Sequence, residues 1–252
     1  MKKLTLSAAL LCAVCAWSPA AGAGRDKDKS ADMVLPDTEL IDIPTAGILD
    51  YYGFMLKTRA YSEGGVIGSL NFGVLERLNL GASMTVDKLI GSDAPIRMRR
   101  PEIQVKFRFF DGGYYIPAAA VGYDGQGYYY DGDARKYLEK GKGLYLAGSK
   151  EAWISNLVLH GGFNIPDFDN NYLFGFLGAN YTLEDKASFI LEYDSLFHKD
   201  DPTRLNVGAR IYITPYFQLD MGLRELNASQ KFSNGDRRKT ERIVQLRYST
   251  NF

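Results

Sequence analysis

The feature that most constrains this chain is an alternation of apolar and polar residues that recurs from Tyr51 to the last residue. Successive side chains of a β-strand point to opposite faces, so each alternating segment predicts a strand with one apolar and one polar face. Segments of about ten residues separated by turn sequences are typical of membrane barrels. We therefore predict an all-β fold over residues 51–252, a transmembrane antiparallel up-and-down β-barrel of about 12 strands.

The lengths of the connections support the same fold. Very short turns, such as Glu76-Arg77 and Glu184-Asp185, alternate with long connections such as residues 125–142. Outer-membrane barrels pair short periplasmic turns with longer outer loops in this way. The alternative is a soluble β-sandwich, but so many half-apolar strands would need packed faces and covered edges, whereas a closed barrel in lipid has no edges.

Residues 1–23 have the features of a secretory signal peptide. Lys2 and Lys3 precede an apolar stretch, which ends at the small-x-small pattern Ala21-Gly22-Ala23. Both cysteines, Cys12 and Cys15, lie inside this segment. We therefore expect the exported chain to contain no disulfide and no cysteine metal site.

Residues 24–50 are predicted to form a flexible leader or periplasmic plug. The segment begins with the charged run GRDKDKSAD, and Pro36, Pro44 and Gly47 then interrupt any regular element. Its expected place is the periplasmic mouth of the barrel.

The last alternating segment places Tyr248 and Phe252 on its apolar face. This terminal aromatic pattern is similar to the C-terminal signature of bacterial outer-membrane barrels, which the barrel assembly machinery recognises. We therefore expect outer-membrane lipid and that machinery as partners, and an integral location in the bacterial outer membrane.

Several stretches resemble the YjbH-type outer-membrane proteins. They are IPTAGILDYYGF at 43–54, RLNLGASMTVDKLIGS at 77–92, RPEIQVKFRFFDGGYYIPAAAVGYDGQG at 100–127, KGLYLAGSK at 142–150, LHGGFN at 159–164 and LEYD at 191–194. The resemblance runs over most of the mature chain, which has room for one barrel. It implies an association with exopolysaccharide production and export, and it brings no catalytic residue.

The polar faces of the predicted strands carry more basic than acidic residues. The basic candidates for the lumen are Lys57, Arg59, Arg77, Lys106, Arg108, Arg204, Arg210, Arg224 and Arg247. The acidic candidates are Glu102, Glu192, Asp194 and Asp220. A basic lumen would concentrate anions and favour acidic glycans or phosphates. Alternatively, the cations pair with these carboxylates and with the acidic residues of the leader, and close a narrow interior.

The connection at residues 125–142 is rich in tyrosine. Tyr128, Tyr129, Tyr130 and Tyr137 are expected on the outer side, where their rings could contact glycans. The competing interpretation is an aromatic girdle at the membrane boundary, which is the commoner use of such residues.

Catalysis, metals and nucleic acids are not predicted. The histidines are His160 and His198, neither of which has the sequence context of a hydrolase triad, and we expect His160 to be a polar residue of the lumen. The acidic stretches at 167–171 and 198–202 lack the spacing of a calcium loop. The net charge is zero, which argues against nucleic-acid binding.

The sequence thus favours a non-enzymatic outer-membrane barrel without cofactors. It would assist export or surface retention of an anionic exopolysaccharide, with export proteins as partners, or let small anions pass. The alternative is a closed structural barrel that acts as an anchor or partner platform. A lipid hydrolase is the least favoured hypothesis, because no nucleophile is placed beside a histidine in the sequence.

Overall fold

The structure is a computed structural model that describes residues 37–91, 95–131, 135–168, 172–197, 203–228 and 237–250. The strands in these ranges are β1 (Phe54–Tyr61), β2 (Gly65–Leu75), β3 (Leu78–Asp87), β4 (Arg97–Met98), β5 (Glu102–Phe110), β6 (Ala118–Asp124), β7 (Tyr128–Asp131), β8 (Lys136–Glu139), β9 (Gly143–Glu151), β10 (Leu157–Ile165), β11 (Phe174–Leu183), β12 (Ala187–Leu196), β13 (Arg204–Tyr212), β14 (Phe217–Arg224) and β15 (Glu241–Thr250). Within these ranges, no helix is long and apolar enough to cross a membrane. The predicted signal peptide, His198 and Phe252 lie outside them.

Twelve of the described strands close into one antiparallel barrel, which confirms the predicted fold. Each of these strands pairs with the next one in the barrel, and β1 closes the ring by pairing with β15. The two-residue strand β4 pairs only with β3, whereas β7 and β8 form a separate two-stranded ribbon. Closure leaves no sheet edge unpaired among the barrel strands.

The connections differ in length at the two ends of the barrel. β1 begins and β15 ends at the same end, where residues 76–77, 111–117, 152–156, 184–186 and 213–216 form short turns. We call this the turn end. Apart from the 3₁₀ turn Ser62–Gly64, the longer connections lie at the opposite end, which we call the loop end.

The outer surface of the barrel is apolar. In β15 the burial of side chains alternates strictly, and the exposed positions on the outer face include Val244, Leu246 and Tyr248. The ring of Tyr248 lies 5.9 Å from that of Phe54 on β1. An outer surface of this kind is suited to lipid rather than to water.

The start of β6 differs from the sequence prediction. The apolar residues of the stretch YYIPAAAVGYD at 114–124 predict a strand from Tyr114, but β6 begins at Ala118, and Tyr114 and Tyr115 are exposed in the preceding turn. Pro117 has no backbone N–H to donate to a neighbouring strand, so the ladder begins after it. The Lys150 ammonium instead bonds the carbonyl of Tyr114 at 2.6 Å.

Candidate functional site in the barrel lumen

One part of the inner wall, formed by β12 to β15 and β1, is densely charged, and we call it the charged wall. The strand register aligns Arg210, Asp220, Gln245 and Arg59 in one row across four strands. A second row aligns Gln218, Arg247 and Lys57 across the adjacent strands. Because side chains alternate between the two faces, every second residue of these strands points into the lumen.

Carboxylates of the wall hold its arginines in place. Asp220 accepts hydrogen bonds from Arg210 Nε and Arg247 Nε, each at 2.8 Å. Gln245 accepts one from Arg59 Nε at 2.6 Å and donates one to Asp220 at 2.8 Å. Charged hydrogen bonds of this kind are short and strong, so the guanidinium groups are fixed before any further group binds them.

Residues 37–50 lie inside the barrel, and we call them the lumen segment. They form a narrow hairpin in which Leu40 N donates to Ile43 O at 3.0 Å and Thr45 N donates to Thr38 O at 3.2 Å. The side chains of Leu40, Ile41 and Ile43 are completely or almost completely buried. The hairpin therefore fills the lumen as a packed element of the protein.

Three carboxylates of the lumen segment meet cations of the charged wall. The pairs are Asp37 with Arg210, Glu39 with Lys57 at 2.6 Å and Arg247 at 3.3 Å, and Asp42 with Arg59 at 2.8 Å and Arg224 at 2.6 Å. Arg210, Arg224 and Arg247 are at most 2% exposed. Such buried charges require close partners, and the lumen segment supplies a large share of them.

The surrounding cations outweigh the effect of burial on these carboxyl groups. Burial raises the pKa of Glu39. The positive charges of Lys57 and Arg247 together have the larger and opposite effect, and they lower this pKa to about 2. Burial likewise opposes ionisation of Asp42, whereas Arg224 and Arg59 hold its pKa well below the ordinary range. Both groups are therefore ionised at neutral pH.

The backbone of the hairpin is recognised as well as its side chains. Glu192 Oε1 accepts hydrogen bonds from the backbone N–H groups of Ile41 at 2.6 Å and Asp42 at 2.9 Å. On the opposite side, Lys106 Nζ donates to the carbonyls of Thr38, Thr45 and Gly47. The barrel thus binds the hairpin by its main-chain donors, its main-chain acceptors and its carboxylates.

Glycines in the wall make room for the apolar side chains of the hairpin. A Cβ atom at Gly178 would lie 2.3 Å from Ile43 Cδ1, and one at Gly208 would lie 2.8 Å from Ile41 Cδ1. Only a residue without a side chain fits here unless the hairpin shifts. The inward glycines therefore act as shallow sockets for the lumen segment.

The β7–β8 ribbon also folds into the lumen, at the loop end. Tyr128 lies beneath the Arg224 guanidinium, 4.0 Å from ring centroid to Cζ, and contacts the Arg59 guanidinium. Glu139, which is 1% exposed, accepts a hydrogen bond from Arg224 at 2.7 Å. Tyr128 is therefore part of the internal charge network, so the predicted roles in glycan contact or in a girdle are wrong for this residue.

The other tyrosines of this connection lie nearer the mouth. Tyr129 packs edge-to-face on Tyr61 at 5.7 Å, and Tyr130 packs edge-to-face on Tyr137 at 5.2 Å. The half-buried carboxylate of Glu102 lies 3.4 Å from the hydroxyl of Tyr137. These rings cover the charge network from the loop end.

Two further lumen candidates, Asp194 and Arg204, lie near the loop end. Asp194 pairs with Lys142 at 2.5 Å, and Arg204 lies 3.7 Å from Glu225. These buried groups extend the network toward the loop end.

Two predicted lumen cations lie at the turn end of the barrel. Arg77 is exposed in the turn between β2 and β3 and pairs with Asp111 at 2.5 Å. Arg108, near the end of β5, pairs with the same carboxylate at 3.0 Å. The expectation that Arg77 lines the lumen is wrong, because the alternation of a strand does not extend through a turn.

A chain of hydrogen bonds crosses the opposite wall. Ser149 Oγ lies 2.8 Å from His160 Nδ1, and His160 Nε2 lies 2.8 Å from Asn180 Oδ1. This is the connectivity of a nucleophile, a base and an orienting group. The chain faces the lumen rather than lipid, however, and Ser149 Oγ accepts a hydrogen bond from Ala46 N at 2.8 Å. Its contacts anchor the lumen segment.

Two small cavities lie beside the hairpin. One of about 60 Å³ adjoins Lys142 and Tyr145, and another of about 60 Å³ adjoins Lys57 and Lys142, so each has room for a few water molecules. Among the described residues, no group of three or more His, Cys, Asp or Glu side chains is arranged to hold a metal ion.

Sequence reasoning missed several polar residues of the lumen. Asn206, Gln245, Ser149 and Asn180 all occupy inward positions of strands, so the alternation itself was the available signal. The acidic residues of the lumen segment were foreseen only collectively, as partners for the basic wall.

Comparisons with known proteins identify the fold alone. A solved structure described as KdgM porin matches with a TM-score of 0.52 and 10% identity, over 79% of this chain and 99% of the porin. A mutant porin of Rhodopseudomonas blastica matches with a TM-score of 0.37 and 8% identity, over 74% of this chain and 55% of the porin. Outer membrane phospholipase A from Escherichia coli matches with a TM-score of 0.45 and 16% identity, over 80% of this chain and 90% of the phospholipase. No protein-family model and no curated protein matches the chain.

Proposed function

We propose that this protein is an integral outer-membrane channel for anions that its own lumen segment holds closed. The observation that carries the proposal is that three carboxylates of the lumen segment, those of Asp37, Glu39 and Asp42, are bound by buried cations of the charged wall. Removing the segment would leave those cations facing an open lumen, where they would attract anionic solutes. The channel role needs no catalytic group.

Within this proposal, the solute is an anionic exopolysaccharide or a small anion. The resemblance of several stretches to YjbH-type proteins supports exopolysaccharide export or surface retention. The apolar outer surface and the unequal connection lengths support the outer-membrane location, with the turn end in the periplasm. The hairpin would then enter the barrel from the periplasmic side, because it leads directly into β1 at the turn end.

A closed structural barrel remains the second candidate. The observation that favours it is the small size of the two cavities beside the hairpin, which hold about 60 Å³ each. In that case the charge network would stabilise the barrel permanently, and the protein would serve as an anchor or partner platform.

The decisive experiment compares wild-type protein with D37N/E39Q/D42N in planar bilayers under a salt gradient. We expect wild type to be mostly silent and the variant to show discrete anion-selective steps, because the hairpin loses its ionic attachment. The control E76Q/E184Q/D185N removes the same charge from exposed turns and should behave as wild type. Silence from a demonstrably folded variant would favour the structural platform.

A further inference from the structure

A vestibule lies at the loop end, above the ribbon. Its volume is about 1150 Å³, which is large enough for several sugar residues. Chain segments around β1, β3, β4, the ribbon and β15 contribute its lining. Tyr61 and Glu241, which are both buried and belong to barrel strands, form part of that lining, so the vestibule adjoins the lumen rather than the lipid-facing wall.

The carboxylates of the vestibule are largely neutralised within the protein. Glu241 pairs with Arg224 at 2.5 Å, and Glu225 accepts a hydrogen bond from Arg238 Nε at 2.9 Å. Asp87 pairs with Arg99 at 2.5 Å. Asp131 is also engaged in a contact of its own. The three ion-paired carboxylates, those of Glu241, Glu225 and Asp87, therefore add little negative charge to the open space.

The basic residues of the vestibule are not neutralised in the same way. Lys88, Arg97, Arg237 and Lys239 are exposed and make no ion pair with any residue in the described ranges. Glu63 is the corresponding acidic residue of the lining without such a pair. The accessible charge of the described lining is therefore positive, although its formal composition is balanced.

Aromatic rings accompany these cations. Tyr129 and Tyr130 line the same space, and the guanidinium of Arg99 lies 4.6 Å from the ring centroid of Tyr130. A tyrosine offers an apolar face and a polar hydroxyl, which together suit the C–H face and hydroxyl groups of a sugar. The exposed cations lie on two separate connections, β3–β5 and β14–β15, and this spacing suits a ligand with more than one negative charge.

We propose that this vestibule is a binding site for an acidic oligosaccharide at the outer mouth of the barrel. The inference deepens the proposed function and rests on it for the direction of entry, because it names the place where the solute first binds. Binding itself does not require the lumen to open. Tyr129 and Tyr130 thereby retain the glycan contact that the sequence suggested, whereas Tyr128 serves the internal network.

The test measures fluorescence anisotropy of a labelled hexauronate with refolded full-length protein, and uses a labelled neutral glucose hexamer for comparison. We expect binding of the hexauronate only, and weaker binding at high salt because the contacts are exposed. The variant R97S/K239S should lose at least tenfold in affinity. The control R77S/K186S removes two exposed cations from the turn end and should bind as wild type.

Several results would overturn this inference. They are equal binding of the neutral hexamer, no binding of the hexauronate by wild type, equal losses in both variants, or displacement of the hexauronate by inorganic phosphate at the same charge concentration. Gel mobility of unboiled samples shows that each variant is folded. Because the assay uses the closed protein, its failure would leave the predicted anion current of D37N/E39Q/D42N untouched.

Discussion

The two halves of the inner wall differ sharply. The charged wall of β12 to β15 and β1 binds the lumen segment by paired guanidinium, ammonium and carboxylate groups. The opposite half, which we call the neutral wall, presents mainly hydroxyl, amide and small side chains, such as Ser69, Ser83 and Asn180, and its buried cation Lys106 bonds main-chain carbonyls of the segment. The difference indicates that one half pairs with the carboxylates of the segment, while the other provides shape and hydrogen bonds to its main chain.

Breaking the charged wall should have the largest effect. The substitution Arg224→Met leaves the carboxylates of Asp42, Glu139 and Glu241 without their shared partner. Removing one member of a buried ionic network typically costs about 3–5 kcal/mol. We expect the free energy of unfolding in urea to fall by that amount. The gel mobility of unboiled samples measures the folded fraction at each urea concentration. The control is Arg77→Met, which removes the exposed pair with Asp111 and should change stability by less than about 1 kcal/mol.

Acid should weaken the attachment of the lumen segment to the charged wall. The pKa of Glu39 is lowered from 4.5 to about 2, because Lys57 and Arg247 overcome the effect of burial. A depressed pKa stabilises the folded state above pH 4.5, and this stabilisation, on the order of 3 kcal/mol, is lost as the pH falls toward 2. Current should therefore stay low from pH 8 to 5 and rise below 4.5. Opening between pH 6 and 8 would contradict the assignment, and E39Q should show a weaker acid effect.

The neutral wall can be tested by filling one of its sockets. Gly178→Leu would place a side chain where Ile43 now lies, and overpacking of this kind costs about 1–3 kcal/mol. We expect the hairpin to become partly displaced and sensitive to thermolysin, while the barrel stays folded. Gly68→Leu is the matched control, because nothing lies within 4 Å of a Cβ there. Equal sensitivity of both variants would argue against the socket.

The smallest effect is expected from the hydrogen-bond chain of the neutral wall. His160→Ala removes two neutral hydrogen bonds, which contribute about 0.5–1.5 kcal/mol each. Stability should fall accordingly, and wild-type Ser149 should not react with a fluorophosphonate probe, because Ala46 N and the hairpin cover it. Labelling that disappears in His160→Ala would instead support a hydrolase.

The barrel could be predicted from the sequence because a strand in lipid has a local signature. Alternation identified the barrel strands, and only details such as the start of β6 after Pro117 were misplaced. The interior was harder, since an inward position does not reveal which partner a side chain meets. Arg210 and Arg77 looked equivalent in the sequence, yet one binds Asp37 and the other lies in a turn.

The ribbon was missed for a different physical reason. The tyrosine-rich connection at 125–142 has the composition of an exposed loop, and nothing local shows that it folds back onto Arg59 and Arg224. That contact depends on charges from β1 and β14, which are distant in sequence. The same holds for Ser149, His160 and Asn180, which only the register of three strands brings together.

The central claim is that the lumen segment closes an anion-selective path, and a reversible tether tests it most directly. Ala46 N lies 2.8 Å from Ser149 Oγ, so the segment runs beside the wall at this point and a cysteine pair at the two positions is the tether to introduce. The measurement is single-channel current of D37N/E39Q/D42N carrying A46C/S149C, before and after reduction. We predict silence when the tether is oxidised and anion-selective steps when it is reduced. The same current in both states, or silence in both from a folded barrel, would contradict the account.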